Sequence, residues 1–174
     1  MSVESISPFL WFDDRAEEAA RFYVSVFARS RIRRVVRYGP EGPGRPGSVM
    51  VVDFELAGKP FTALNGGPVF RFTPAVSLYI RCRTQSEVDR LWDRLSRNGK
   101  PGQCGWLEDR FGLSWQVVPD RLVGLLSDSD PDRVARVTRA LLRMRKIDIG
   151  TLDAAARSSA TSRSGARRTR KGTG

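Results

Sequence analysis

The stretch GQCGWLEDRFGLSWQVVP, residues 102–119, decides the fold. It contains two runs with strand character, Gly105–Leu107 and Ser114–Val118, and Trp115 follows Gly112 by three residues. Two β-prone runs joined by a short segment that contains glycine are typical of a β-hairpin. The stretch therefore predicts a hairpin that ends a folded unit.

The residues before this hairpin predict a strand followed by a helix. Ala75–Cys82 is a β-prone run, and the sequence TQSE at 84–87 is a capping box, which marks the start of a helix. Apolar residues then follow at the i, i+3, i+4, i+7 spacing of one helix face, namely Val88, Leu91, Trp92 and Leu95. The second half of the chain is thus predicted as a strand, a helix and a final hairpin.

The first half of the chain shows the same order. Its predicted elements are a strand at 9–12, a helix at 15–28, and strands at 31–38, 49–56 and 61–64. Asp14, the predicted cap of the first helix, lies 70 residues before Thr84. We therefore predict an α+β fold built from two βαβββ modules, at about residues 5–68 and 74–120.

Two further regions follow this paired domain, which we place at residues 1–126. Asp130 and Pro131 predict the start of a helix whose apolar stripe is Val134, Val137, Leu141 and Met144. With a shorter helix at 147–156, it forms a predicted C-terminal helical extension at 127–156. Residues 157–174 hold six basic residues, no acidic residue and no large apolar residue, so we expect a disordered basic tail.

Composition excludes several classes of protein. The chain has 174 residues, a net charge of +11 and no histidine, which excludes a His-based triad, a His general base and a His metal ligand. Its two cysteines give no disulfide framework or zinc pattern. No apolar run is long enough to span a membrane and no signal peptide opens the chain, so we expect a cytoplasmic protein without a membrane partner.

Several motifs resemble those of PhnB-like proteins in the glyoxalase/bleomycin-resistance/extradiol-dioxygenase (vicinal oxygen chelate, VOC) superfamily. They are residues 102–119, PFLWF at 8–12, Phe22-Tyr23 and FTALNGG at 61–67. The resemblance covers about residues 5–156 and implies the paired βαβββ architecture. It also implies a homodimer, for which the stripe of the predicted helix offers apolar surface.

Members of this family are often labelled 3-demethylubiquinone-9 3-methyltransferase, but the sequence does not support methyl transfer. A common type of S-adenosylmethionine enzyme has a glycine-rich turn between a strand and a helix. The glycine-rich stretch here, residues 39–47, precedes a predicted strand instead. Whether the protein is an enzyme therefore stays open, and no catalytic residue is predicted.

The resemblance also implies where a divalent metal would bind. In the superfamily the ligands come from the first strand of each half and from the last strand, which places them near Pro8, Ser77 and Gln116. Proline has no side-chain donor and one amide does not make a site. We therefore expect no metal and no other cofactor, with a metal-dependent glyoxalase- or dioxygenase-like enzyme as the alternative.

The function we predict is binding of a small molecule in an apolar cavity between the two curved sheets. The predicted ligand-binding residues are Trp11, Phe54, Asn65, Cys104, Trp106, Trp115 and Gln116. Cys104 as a nucleophile is disfavoured because no histidine can act as its base. The carboxylate pairs Asp53/Glu55 and Glu108/Asp109 are expected to face solvent beside arginines.

Non-specific nucleic-acid binding through the basic tail is the remaining alternative. The tail arginines could neutralise phosphates. No aromatic residue lies among them, so base stacking has no support.

Overall fold

A computed structural model describes residues 6–158. The first module consists of β1 (Phe9–Phe12), α1 (Ala16–Val26), β2 (Arg31–Arg37), β3 (Val49–Leu56) and β4 (Lys59–Asn65). The second consists of β5 (Leu78–Cys82), α2 (Gln85–Leu95), β6 (Lys100–Pro101), β7 (Trp106–Glu108) and β8 (Ser114–Pro119). Three helices follow, α3 (Asp120–Leu126), α4 (Pro131–Leu141) and α5 (Ile149–Arg157). The predicted α+β fold of two βαβββ modules is confirmed.

Each module forms its own four-stranded mixed sheet, and the two sheets have the same topology. The strand orders are β1-β4-β3-β2 and β5-β8-β7-β6. In each sheet the first strand runs parallel to the last, and the remaining pairs are antiparallel. The two-residue strand β6 was missed in the sequence because it has no apolar run.

Both modules contribute to one hydrophobic core. Strand β3 alternates buried and partly buried residues, as expected for a sheet covered by a helix on one face. Helix α1 buries small residues and one large one on the matching face, namely Ala16, Ala19, Ala20, Tyr23 and Val26. Helix α2 buries the predicted stripe, which is Val88, Leu91, Trp92 and Leu95.

The two helices begin in different ways. Thr84 accepts a hydrogen bond from the Glu87 amide, and the Glu87 side chain bonds back, so the predicted capping box is confirmed. The predicted cap at Asp14 is wrong. Helix α1 has Arg15 at its N-cap without a side-chain cap, and the Ala16 amide donates instead to Asn65 Oδ1 on β4, at 2.7 Å.

The glycine-rich segment between β2 and β3 is a loop, as predicted. It wraps around the Tyr38 ring so closely that a Cβ atom on Gly44 would lie 2.3 Å from Tyr38 Cε2. The glycine at this position is therefore needed for packing against the ring.

The C-terminal extension has a second, smaller core. It consists of Val118, Leu122, Leu125, Val137, Ile147, Leu152 and Ala156, with Leu141 and Met144 partly buried against it. The predicted stripe of α4 thus packs within its own chain. Because α3 packs with α4 and α5, we refer to residues 120–158 as the extension.

Backbone hydrogen bonds hold the extension on the second module. The amides of Cys104 and Gly105 donate to the carbonyls of Met144 and Arg145, each at 2.8 Å. The Gln85 side chain bonds to Ile147 O and to the Ile149 amide. The expected disordered tail lies outside the described residues except for Arg157, which ends α5, and Ser158. Within residues 6–158, no helix combines the length and apolar character needed to cross a membrane.

Candidate functional site

Two open clefts lie on either side of the turn at residues 13–15, which joins β1 to α1. The first has a volume of about 400 Å³ and is walled by aromatic side chains, including Trp11, Phe70, Phe72 and Phe111. We call it the aromatic cleft. The second has a volume of about 470 Å³ and is lined by Asp14, Glu17, Tyr38 and Asn65 among others. We call it the acidic cleft.

The aromatic cleft is formed where the linker between the modules crosses the end of β1. Trp11 and Phe70 meet edge to face with ring centroids 5.0 Å apart, and Phe12 and Phe72 do so at 5.1 Å. The indole Nε1 of Trp11 donates to the Gly67 carbonyl at 2.9 Å, which fixes the ring. The linker thus supplies two rings, which the sequence analysis did not identify because they lie outside the predicted strands.

Two arginines that line this cleft lie over aromatic rings, and both also pair with Glu18. The Arg110 guanidinium lies 4.4 Å from the centroid of the Phe22 ring and 4.8 Å from that of Phe111, and Arg15 lies 4.6 Å from the latter. Such cation–π contacts are attractive. The Arg110 Nε is buried and has no hydrogen-bond partner among residues 6–158. The cleft therefore combines flat apolar walls with cationic groups.

Asn65 in the acidic cleft holds three elements together. Its Oδ1 accepts from Ala16 at the start of α1, and its Nδ2 donates to the Val49 carbonyl on β3 at 3.0 Å. The hydroxyl of Tyr38 donates to the Asn65 carbonyl. Both side-chain atoms of the predicted polar ligand contact are thus already engaged within the protein.

A buried carboxylate, which was not predicted from the sequence, joins the two modules. The Asp109 side chain is 2% exposed and accepts hydrogen bonds from Tyr23 Oη and Trp115 Nε1, both at 2.8 Å. It also accepts from the amides of Phe111 and Leu113. The prediction that Asp109 faces solvent is wrong. The Asp-x-x-Gly turn at 109–112 was the signal that could have revealed it.

Burial raises the pKa of the Asp109 carboxyl above its ordinary value, and the hydrogen bonds from Trp115 and Tyr23 oppose this shift. Burial and the nearby carboxylate also hold the pKa of Tyr23 well above its ordinary value, which keeps its hydroxyl proton in place. All four partners of Asp109 are donors. The group is thus an acceptor that fixes Tyr23 and Trp115 in the core.

The predicted ligand-binding residues lie in separate places. Phe54 and Trp115 are 1% and 2% exposed and belong to the hydrophobic core. Of the seven predicted residues, Trp11 alone lines the aromatic cleft and Asn65 alone lines the acidic cleft. The structure therefore does not bring the predicted set together, and binding of a ligand by its members stays a prediction.

Trp106 and Gln116 are neighbours on β7 and β8, where they pair in register and are both partly buried. The Gln116 Nε2 donates to Ser77 Oγ at 2.9 Å. Two of the three positions that the resemblance implied for a metal are thus bonded to each other. An amide, a hydroxyl and a proline do not provide the donors that a divalent transition metal requires.

The two cysteines have different surroundings. Cys104 is partly buried beneath the end of α4, with Sγ 3.6 Å from the Leu141 carbonyl, away from both clefts. Its backbone has a φ of 57°, in the left-handed region. Cys82 is buried in the core, and burial raises the pKa of its thiol to about 11. Cys104 is therefore placed to hold the extension.

The carboxylates of β3 are paired with arginines at the surface, as predicted. Glu55 forms ion pairs with Arg31 and Arg33, and Asp53 forms one with Arg34. No group of three or more His, Cys, Asp or Glu side chains within residues 6–158 is arranged to bind a metal ion.

Comparison with known proteins agrees with this architecture. The family model for 3-demethylubiquinone-9 3-methyltransferase matches residues 4–118. The PhnB protein from Bacillus cereus is 38% identical, with a TM-score of 0.61, and the match covers 67% of this chain and 99% of that protein. A protein from Pseudomonas aeruginosa shares the fold at 19% identity, with a TM-score of 0.56 and coverage of 67% and 98%. No curated protein matches the chain.

The match to the family model spans both modules and ends at the last residue but one of β8. Because this is well over half of the chain and the B. cereus protein shares 38% of its residues, the family is established. The chain therefore belongs to the 3-demethylubiquinone-9 3-methyltransferase (PhnB-like) family and shares the fold of the B. cereus PhnB protein.

Proposed function

We propose that the protein binds a small molecule with a flat apolar part in the aromatic cleft. The observation that carries this proposal is the edge-to-face pair of Trp11 and Phe70 beside an open volume of about 400 Å³. Small-molecule sites are concave and mostly apolar, with a few polar groups that fix orientation. Here Arg15 and Arg110 supply those groups, and no catalytic step is part of the proposal.

The donor chemistry supports binding without a metal. Gln116 and Ser77 offer only neutral oxygen donors and are bonded to each other. Elemental analysis of purified protein tests this part of the proposal. If the protein contains a stoichiometric transition metal that Gln116→Ala loses, metal-free binding is refuted and the glyoxalase- or dioxygenase-like alternative is favoured.

The cleft can be tested with the dye anilinonaphthalene sulfonate, an aromatic anion whose emission rises in apolar sites. We expect saturable binding that falls about tenfold in Phe70→Ala, because a ring wall of this kind contributes roughly 1–3 kcal/mol. Leu142→Ala removes a large apolar side chain of similar exposure, outside the cleft and outside strands β1 and β5, and serves as the control. Equal affinity of both variants, or no saturable binding to the wild type, would refute the proposal.

We also propose that the protein forms a homodimer, through strand edges and not through the stripe on α4. Among residues 6–158, strands β1 and β5 each have a sheet neighbour on one side only. They carry Phe9 and Tyr79, which are 61% and 50% exposed. The opposite edges are protected, since β2 is rich in arginine and β6 has two residues including Pro101. If β1 of each protomer paired with β5 of the other protomer, the open edges of both copies would be covered.

Sedimentation of a Phe9→Glu, Tyr79→Glu double variant tests the dimer. We expect the wild type to be a dimer and the double variant a monomer, because charges at the edge oppose pairing with another chain. Leu142→Glu changes an exposed apolar residue of the extension and should leave the dimer intact. A wild-type monomer at high micromolar concentration would contradict the proposal. Location in the cytoplasm stays a prediction.

A further inference from the structure

The two arginines of the aromatic cleft differ in how closely they pair with Glu18. Arg15 donates to both carboxylate oxygens of Glu18, each at 2.8 Å. Arg110 Nη2 lies 3.5 Å from Glu18 Oε1, which is longer than the roughly 2.7–2.9 Å of a hydrogen bond between a cation and a carboxylate. Because a guanidinium has five N–H donors and Glu18 is bound mainly by Arg15, Arg110 keeps donors for another anion.

Aromatic rings, more than carboxylates, hold Arg110 in place. Its guanidinium lies 4.4 Å from the centroid of the Phe22 ring and 4.8 Å from that of Phe111. Its side chain is 32% exposed and lines the aromatic cleft. Partial burial reduces the screening of the charge by water, so an anion in the cleft interacts with Arg110 more strongly than with a fully exposed cation.

The same cleft contains flat walls that lead to Arg110. Its aromatic lining residues are Trp11, Phe12, Phe70, Phe72 and Phe111. The Phe12 ring lies 5.1 Å from Phe72 and 6.4 Å from Phe111 between ring centroids, and Arg110 lies over Phe111. The rings thus form a continuous row that ends at the guanidinium.

The linker adds a second cation to the cleft. Arg71 lies between Phe70 and Phe72 in the sequence, is exposed and lines the cleft. It forms no ion pair with the part of the chain that the structure describes, whereas Lys100 pairs with Glu108 at 2.7 Å. Arg71 therefore attracts anions to the cleft, but as an exposed charge it contributes less than Arg110.

The carboxylates of the cleft limit the charge of the ligand. Glu108 is neutralised by Lys100. Asp13 and Asp14 also line the cleft, are exposed, and have no cationic partner among residues 6–158. They would repel a ligand that carries several negative charges. A ligand with one negative charge, placed at Arg110, is therefore favoured over a polyanion.

We propose that the ligand of the aromatic cleft is an aromatic carboxylate, with its ring against the aromatic walls and its carboxylate on the Arg110 guanidinium. This inference rests on the proposed binding in that cleft and adds the chemical class of the ligand. A carboxylate conjugated with a ring lies close to the ring plane, so one flat molecule contacts the walls and the guanidinium together. Two N–H donors of a guanidinium match the two oxygens of a carboxylate.

The test is displacement of the neutral dye N-phenyl-1-naphthylamine by 2-naphthoate and by 2-naphthamide, which have the same ring and similar shape but differ in charge. We expect 2-naphthoate to displace the dye from the wild type at a concentration at least about fivefold lower. Arg110→Gln should abolish this preference, and Arg71→Gln should reduce it about twofold. Arg83→Gln removes an exposed charge outside the cleft and should retain the preference.

Binding of the neutral dye separates this inference from the proposed function. Equal displacement by the two competitors in the wild type, or an unchanged preference in Arg110→Gln, would overturn the carboxylate assignment but not binding in the cleft. Dye binding that Phe70→Ala leaves unchanged, or no dye binding by the wild type, would refute both. If Arg110→Gln does not fold, Arg110→Lys replaces it. This variant keeps the charge but loses the fork, and it should reduce the preference at least about twofold.

Discussion

The turns that precede the last strand of each module are held in different ways. The turn between β3 and β4 is formed by Ala57 and Gly58, which are exposed and have φ values of 50° and 80°. In the second module the turn before β8 contains Asp109, whose carboxylate is buried and bonded to Tyr23 of the other module. Both turns make hydrogen bonds to residues distant in sequence. Those of the first, from the Ala57 amide to Ser30 Oγ and from the Gly58 amide to the Arg29 carbonyl, lie at the surface. Those of the second are buried between the two modules.

The two helix starts also differ, in how far away in the sequence the capping residue lies. In the second module Thr84 and Glu87 cap α2 from adjacent positions. In the first module the cap of α1 comes from Asn65, which is 49 residues away. The start of α2 can therefore form from neighbouring residues, whereas the start of α1 requires the assembled sheet of its module.

The largest effect is expected for Asp109→Ala. This change leaves Tyr23 Oη and Trp115 Nε1 buried without an acceptor, and should lower the free energy of unfolding by at least about 3 kcal/mol. Urea denaturation measures the loss. Asp109→Asn keeps one acceptor oxygen, so its free energy of unfolding should lie between those of the wild type and Asp109→Ala. Glu108→Ala removes only a surface pair with Lys100 and should cost less than about 1 kcal/mol. Similar values for Asp109→Ala and Glu108→Ala would show that the buried network is not important.

The second comparison is between Asn65→Ala and Thr84→Ala. Loss of a local cap costs about 1 kcal/mol, so we expect that value for Thr84→Ala. Asn65→Ala removes a cap and a hydrogen bond to β3 together and should cost about 2 kcal/mol. Thermal unfolding of both variants ranks them, and a larger loss for Thr84→Ala would contradict the role given to Asn65.

The pH dependence of stability should separate Asp109 from the surface carboxylates. Its pKa is raised in the folded state, so the folded protein binds the proton more tightly and loses stability as the pH rises from about 3.8 through the folded pKa. Asp109→Asn does not titrate. The free energy of unfolding of the wild type, minus that of Asp109→Asn, should therefore be larger in acid than at neutral pH.

Arginine and lysine partners lower the pKa of Glu18 and Asp89, and a backbone amide together with Arg133 lowers that of Asp128. Their stabilisation is present at neutral pH and is lost on acidification, but it is common to both proteins and cancels in the difference. A difference that is constant with pH, or that shrinks in acid, would contradict the raised pKa of Asp109.

The smallest expected effect is an increase in stability, from a change in the turn between β3 and β4. Ala57 occupies a left-handed conformation in a two-residue hairpin turn, where Asn followed by Gly is preferred. Ala57→Asn should therefore raise the free energy of unfolding by about 0.5 kcal/mol. The same change at Ala28, which lies outside this turn, is the control. A loss of stability in Ala57→Asn would contradict the expectation that the left-handed conformation of Ala57 costs stability.

The sequence was sufficient to predict the duplicated module and most of its elements, but not the short strand β6 or helix α3. The capping box at Thr84 and the stripe through Trp92 depend on neighbours within one helix turn, so they can be identified without the fold. The motif at 102–119 carried the family resemblance for the same reason. The cap predicted at Asp14 failed because Asn65, from another strand, takes that role.

Which faces of the two modules meet was decided only by the tertiary structure. The sequence could not distinguish Trp115, which is buried and bonded to Asp109, from Trp11, which lines an open cleft, since both lie on predicted strands. It showed the basic residues of the C-terminal region but not that three helices gather four arginines around one cleft. Local pattern sets the period and ends of an element, whereas the burial of a side chain depends on what packs over it from elsewhere in the chain.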